Sequence, residues 1–122
     1  MAITKEELVR AIHEAILDIE AAEVELRQAG PEWARAENEY RKAKATAFLV
    51  NCDAKMTVKE KEMRVDQVCE MQRQAAHIAE AARETAKEAL RARMAKLNGY
   101  QTIASLEKAE MQLIGGGTRQ QV

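Results

Sequence analysis

The stretch TVKEKEMRVDQVCEMQRQAAHIAEAARETAKEALRARMAKLNGYQTIASLEKAEMQLI, residues 57–114, decides the fold. It holds no proline and one glycine, Gly99, and its apolar residues recur at helical intervals throughout. At roughly 1.5 Å per residue, a helix of that length runs about 80 Å, well beyond the diameter of a small globule. Most of its surface therefore needs partners, from other helices or from other copies of the chain. The spacing marks an inner face of Val65, Val68, Cys69, Gln72, Ala75, Ala76, Ala79, Ala82, Ala86, Leu90, Met94 and Leu97. An alanine seam lets helices approach closely but buries little apolar area per residue, so such a contact has to be long to be stable.

Upstream, Asn51-Cys52-Asp53-Ala54-Lys55-Met56 reads as a short polar connection, and Thr57 with Glu60 as a capping box opening the long helix. A connection this short favours antiparallel neighbours, which makes the preceding segment the other arm of a hairpin. That segment, over 31–51, carries Trp33, Ala36, Tyr40, Ala43, Ala47 and Val50 at heptad spacing. Phe48 and Leu49 make its end apolar nearly all round, which predicts a buried end. Gly30-Pro31 reads as a stop and restart, because glycine suits a left-handed cap and proline the first turn of a new helix. Before it, over 4–29, Leu8, Ile12, Ala15, Ile19, Ala22 and Leu26 form a further heptad stripe behind a Thr4–Glu7 capping box, widened by Val9, Ile16 and Leu17.

The expected fold class is all-α: an elongated helical hairpin with one long C-terminal helix, an additional N-terminal amphipathic helix and coiled-coil-like packing. It forms one helical domain over 1–114, with helices over 4–29, 31–51 and 57–114. Gly99 costs about 1 kcal/mol in an exposed helix interior and allows a break that would make 100–114 a separate fourth helix. Gly115-Gly116-Gly117 ends the pattern, leaving 115–122 as a flexible tail.

Few aromatics (3%) and many charges (32%) in 122 residues favour long helices over a sandwich, barrel or α/β enzyme. A core of small aliphatic residues is thin, and burial by homo-oligomerisation would supplement it. The net charge of −1 argues against a uniformly basic nucleic-acid coat, yet its distribution is uneven. Residues 1–30 carry three Lys/Arg against seven Asp/Glu, whereas residues 83–98 carry five against two. A local basic surface thus survives inside a neutral total. Cys52 and Cys69 do not make a secreted disulfide framework and read as free thiols of a cytoplasmic protein. There is no signal-peptide pattern and no apolar run long enough for a membrane span.

No chemistry is encoded at recognisable spacing. His13 with Glu14 and Asp18, and His77 with Glu80 and Arg83, lack a second histidine at ligand spacing, the cysteines form no Cys-x-x-Cys, and no phosphate-cradling glycine loop opens a helix. The expectation is a protein that is not an enzyme, without metal or cofactor. Two basic groups remain: Arg35, Arg41, Lys42 and Lys44 near Tyr40, and Arg83, Lys87, Arg91, Arg93 and Lys96. Cations along a helix can follow a phosphate backbone beside a stacking aromatic. The alternative is a solvated face of intrahelical pairs such as Glu37 with Arg41, and on sequence alone that solvated face is the favoured reading.

The order of a basic, alanine-rich helix end (Tyr40-Arg41-Lys42-Ala43-Lys44-Ala45-Thr46-Ala47-Phe48-Leu49), a short turn, a Thr-capped charged start (Met56-Thr57-Val58-Lys59-Glu60-Lys61-Glu62) and a long helix through Leu90-Arg91-Ala92-Arg93-Met94-Ala95-Lys96-Leu97-Asn98-Gly99-Tyr100 resembles the small helical proteins of tailed phages. Within that group it is similar to the UvsY class of recombination mediators, over about residues 32–113. The resemblance implies a ring-like homo-oligomer in the host cytoplasm that binds single-stranded DNA and helps load a RecA-class recombinase. The family's DNA-contacting basic residues would fall on Arg41, Lys42 and Lys44; Arg91, Arg93 and Lys96 join them from local charge. The acidic first helix lies outside the resemblance. A protein-binding module or inhibitor, or a structural assembly factor, is the alternative role.

Overall fold

The computed structural model describes residues 3–120, with side chains described over 3–114. The helix end expected at Gly115-Gly116-Gly117 is not seen, since the last helix runs to Gln120, and residues 121–122 of the expected tail lie outside the described residues. Three helices account for the fold: α1 (Lys5–Asn51), α2 (Val58–Val68) and α3 (Glu70–Gln120), with no strand among the described residues. The chain divides into two compact units, one of residues 24–87 and one that combines residues up to 23 with residues from 88 onward.

In the first of these units, α1 descends to the turn and α2 and α3 return beside it. Ala47, Val65 and Cys69 form a buried cluster, with Tyr40, Ala43 and Cys52 packed against it. Farther from the turn Arg83 meets Trp33. As α1 runs from 33 to 47, its partners run from 83 down to 65, which is the antiparallel hairpin. The turn is held locally: the Asp53 carboxylate accepts from the Lys55 amide at 2.8 Å and the Asp53 carbonyl from the Met56 amide at 3.2 Å. Thr57 then caps α2 reciprocally, its hydroxyl accepting from the Glu60 amide at 3.1 Å while the Glu60 carboxylate accepts from the Thr57 amide at 3.3 Å. In the second unit, Leu8, Ala15 and Ala22 are buried, and the Arg93 guanidinium donates to the Asp18 carbonyl at 2.8 Å. Thr4 and Glu7 cap α1 in the same reciprocal way.

The stop expected at Gly30-Pro31 does not occur; the two expected helices are one, with Pro31 inside it. Gly30 has no positive φ, so the left-handed cap is absent. An interior proline costs about 3 kcal/mol because it removes one backbone donor and crowds the preceding turn. Two features lessen that cost. Pro31 and Arg27, whose carbonyl loses its donor, are both exposed, so water can satisfy the orphaned oxygen. The covered stripe also keeps one phase across the junction: Leu8, Ile12, Ala15, Ile19, Ala22, Leu26, Ala29, Trp33, Ala36, Tyr40, Ala43 and Ala47 alternate four- and three-residue steps and are all buried or half-buried.

The long second arm also departs from expectation. It is interrupted at Cys69, whose φ of −99° and ψ of 18° leave the helical region, although its amide still donates to the Val65 carbonyl and its carbonyl accepts from the Arg73 amide, both at 2.9 Å. Beyond Cys69 the inward slot belongs to Arg73 instead of Gln72, a four-then-four step that locally unwinds a heptad pattern. No break occurs at Gly99, which α3 passes through. Val68, Gln72, Ala75, Ala82 and Met94, expected on the inner face, are exposed. Arg73, Arg83 and Arg93 take inward places instead, because a guanidinium on a long apolar stem can pack along a helix while its head finds an acceptor or a ring.

The hairpin end is not buried. Ala47 alone occupies the inward position, and the next residues rotate outward with nothing beyond the six-residue turn to cover them. Phe48 is 51% exposed and Leu49 80%. Eight apolar side chains are buried among the described residues, and five of those are alanine.

Candidate nucleic-acid interface

The basic residues expected to bind DNA fall in different units: Arg41, Lys42 and Lys44 in the hairpin unit of 24–87, and Arg91, Arg93 and Lys96 in the other. On α1, Arg41 is largely exposed and paired with Glu37 at 3.5 Å. Lys42 is exposed, and Lys44 is exposed with its ammonium 5.0 Å from the centre of the Tyr40 ring. At about 100° per residue these three cover an arc of roughly 160° of one helix turn, so one strand can meet all of them. On α3 the trio disperses. Arg91 is held by Glu88 at 2.8 Å, Arg93 turns into the seam toward Asp18, and Lys96 is exposed. Arg91 points about 160° away from Arg93 around the helix, so these residues do not form one strip.

The other cations of the long arm are largely engaged. Lys87 pairs with Glu84 at 3.4 Å, and Arg83 stacks 4.6 Å over Trp33. Arg73 bonds Glu70 at 2.6 Å, and that hydrogen bond with the carboxylate's charge holds its guanidinium above the ordinary range. Its Nε, turned into the seam, finds no acceptor.

Around the turn the structure brings Lys61 beside Phe48 and the basic residues at the end of α1. Residues 41–64 carry seven Lys/Arg against three Asp/Glu, the strongest basic excess at any element end of the hairpin unit. Lys61 on α2 lies 5.5 Å from the centre of the Phe48 ring on α1. A groove of about 730 Å³ opens between these helices, bounded by Lys44, Ala45, Phe48, Val58, Lys61, Glu62, Val65 and Asp66. Val50, Val58 and Met63 are exposed at the same end. The signal for this cluster was available: Phe48 and Lys61 stand on either side of the turn, each at a position that the heptad stripes leave off the seam.

Chemically the hairpin end offers positive charge, two aromatic rings each faced by a lysine, and apolar surface. Among the described residues no cluster of three or more His, Cys, Asp or Glu is placed to hold a metal ion, and no helix is long and apolar enough to cross a membrane. No protein-family model, curated protein or solved structure matches this chain.

Proposed function

We propose that this chain is a non-enzymatic, self-associating helical protein that binds single-stranded DNA through its hairpin end and serves as a recombination mediator of the kind found in tailed phages, assisting a RecA-class recombinase. The observation that carries the DNA reading is the basic excess over residues 41–64 with the exposed Phe48 ring among its cations, in a chain whose total charge is nearly zero. Lysines and arginines spaced along a helix neutralise phosphates and release counterions, and nearby rings tolerate any base. Self-association is supported by the thin core: five alanines among eight buried side chains bury little area, while Leu49, Met71 and Ile78 stand at least 70% exposed.

Within this reading Arg41, Lys42 and Lys44 are the principal phosphate contacts of the hairpin unit, and in the other unit Lys96 is exposed. Arg93 and Arg91, each already engaged, contribute less. The test is binding of a labelled single-stranded oligonucleotide across a salt series, with the wild-type chain and with Arg41, Lys42 and Lys44 changed together to alanine. Binding that is salt-steep in the wild type and weak in the variant supports the proposal; equal binding by both removes this site.

The same exposed apolar residues favour a second reading, a protein-binding module or assembly factor without a nucleic-acid role. It predicts partner binding that persists at high salt and no shift of the oligonucleotide.

A further inference from the structure

We infer that the groove between the end of α1 and α2 is a seat for one unstacked base of single-stranded DNA, with Phe48 as the stacking surface and Lys44 and Lys61 as clamps on the adjoining phosphates. This inference rests on the single-stranded DNA reading above and adds to it a particular base-contacting residue.

Three observations converge on it. The groove, at about 730 Å³, falls within the roughly 300–1,000 Å³ span of small-ligand sites and has room for a nucleotide. Phe48 is half exposed beside it although its immediate neighbour Ala47 is buried, so its ring is presented and not stored in the core. Lys61 lies over that ring and Lys44, which also lines the groove, over the ring of Tyr40, so a base that takes the face of Phe48 would release the Lys61 ammonium toward its phosphate with Lys44 beside it. Ala45, Val58 and Val65 give the rest of the groove an apolar lining, and Glu62 and Asp66 stand among them. Their carboxylates repel a second backbone but can accept from exocyclic amino groups of a base. A duplex keeps its bases inside its own stack and brings two phosphate chains together, so the groove selects a single strand.

The charge and stacking contributions separate in a titration. Fluorescence anisotropy of a labelled 30-mer, measured with the full chain over a salt series from about 50 mM upward, gives both an affinity and a salt slope. Phe48→Ala is expected to weaken binding about tenfold with the slope unchanged, because stacking releases no counterions. Phe48→Tyr should bind like the wild type. Lys61→Ala should lower the slope by about one. Since Phe48 is half exposed, helical content and thermal midpoint of the variant should match the wild type, which circular dichroism checks. Salt-dependent wild-type binding that Phe48→Ala leaves intact overturns the base seat while leaving the DNA reading standing. Absence of wild-type binding at the lowest salt overturns the DNA reading and the seat together.

Discussion

The guanidinium of Arg83 lies 4.6 Å over the ring of Trp33, the chain's one tryptophan, so the seam of the hairpin unit is closed there by a cation stacked on an indole. Both residues are half-buried. Such a pair contributes about 1 kcal/mol when partly desolvated. Arg83→Ala should lower the unfolding free energy by about that amount and make the Trp33 fluorescence easier to quench with acrylamide. Unchanged quenching would show that Arg83 does not cover the ring.

Gly30 and Pro31 lie in an uninterrupted helix, and space around Gly30 is open, since a Cβ added there meets nothing within 4 Å. Gly30→Ala should therefore stabilise the protein by about 1 kcal/mol, and Gly99→Ala, equally unobstructed, by a similar amount. Chemical denaturation followed at 222 nm reads both. Destabilisation by Gly30→Ala would indicate a left-handed cap and two separate helices in place of α1.

The two cysteines differ sharply in access. Cys69 is 1% exposed within the cluster of Ala47 and Val65, whereas Cys52 is half-buried at the turn, its Sγ 3.8 Å from the Lys61 carbonyl. A thiol reagent should label one cysteine quickly and the other only as the core opens, with denaturant making both fast. Mass spectrometry of the labelled peptides assigns them. Equal rates in the native protein would contradict a closed core at Cys69.

Replacing Arg41, Lys42 and Lys44 by alanine removes three cations from a helix surface with no buried member. The folded state should persist, and the slope of log affinity against log salt for single-stranded DNA should fall by up to about three. Replacing Arg91 should change that slope less, because Glu88 holds it at 2.8 Å, closer than the 3.5 Å at which Glu37 meets Arg41. A slope unaffected by the triple change places the phosphate contacts elsewhere.

The helical hairpin was legible because its cues are local. The polar turn at 51–56, the Thr57–Glu60 cap and the heptad spacing each act over a few residues and agree with one another. The continuity of α1 was legible as well, through Ala29, which joins the stripe ending at Leu26 to the one starting at Trp33 in unbroken phase. The Gly-Pro pair outweighed that cue because both residues are strong breakers in isolation, while their tolerance here follows from the exposure of Arg27 and Pro31 and the unbroken phase of the stripe. The inward arginines were hidden for another reason. A guanidinium counts as polar in any periodicity, yet its stem packs like an aliphatic chain, and only the positions of Trp33 and Asp18 on the opposite helix reveal where its head is satisfied. The groove at Phe48 likewise needs two helices at once: its lysines and its ring come from opposite sides of the turn.

We propose that copies of this thin-cored chain associate and take up single-stranded DNA together. Sedimentation of the full chain at micromolar concentration, with and without a labelled single-stranded oligonucleotide, tests both halves at once. The account predicts a species several times the 13.7 kDa of one chain, to which the oligonucleotide adds at low salt and from which it dissociates at high salt. A folded 13.7 kDa single chain that leaves the oligonucleotide free at low salt would contradict it.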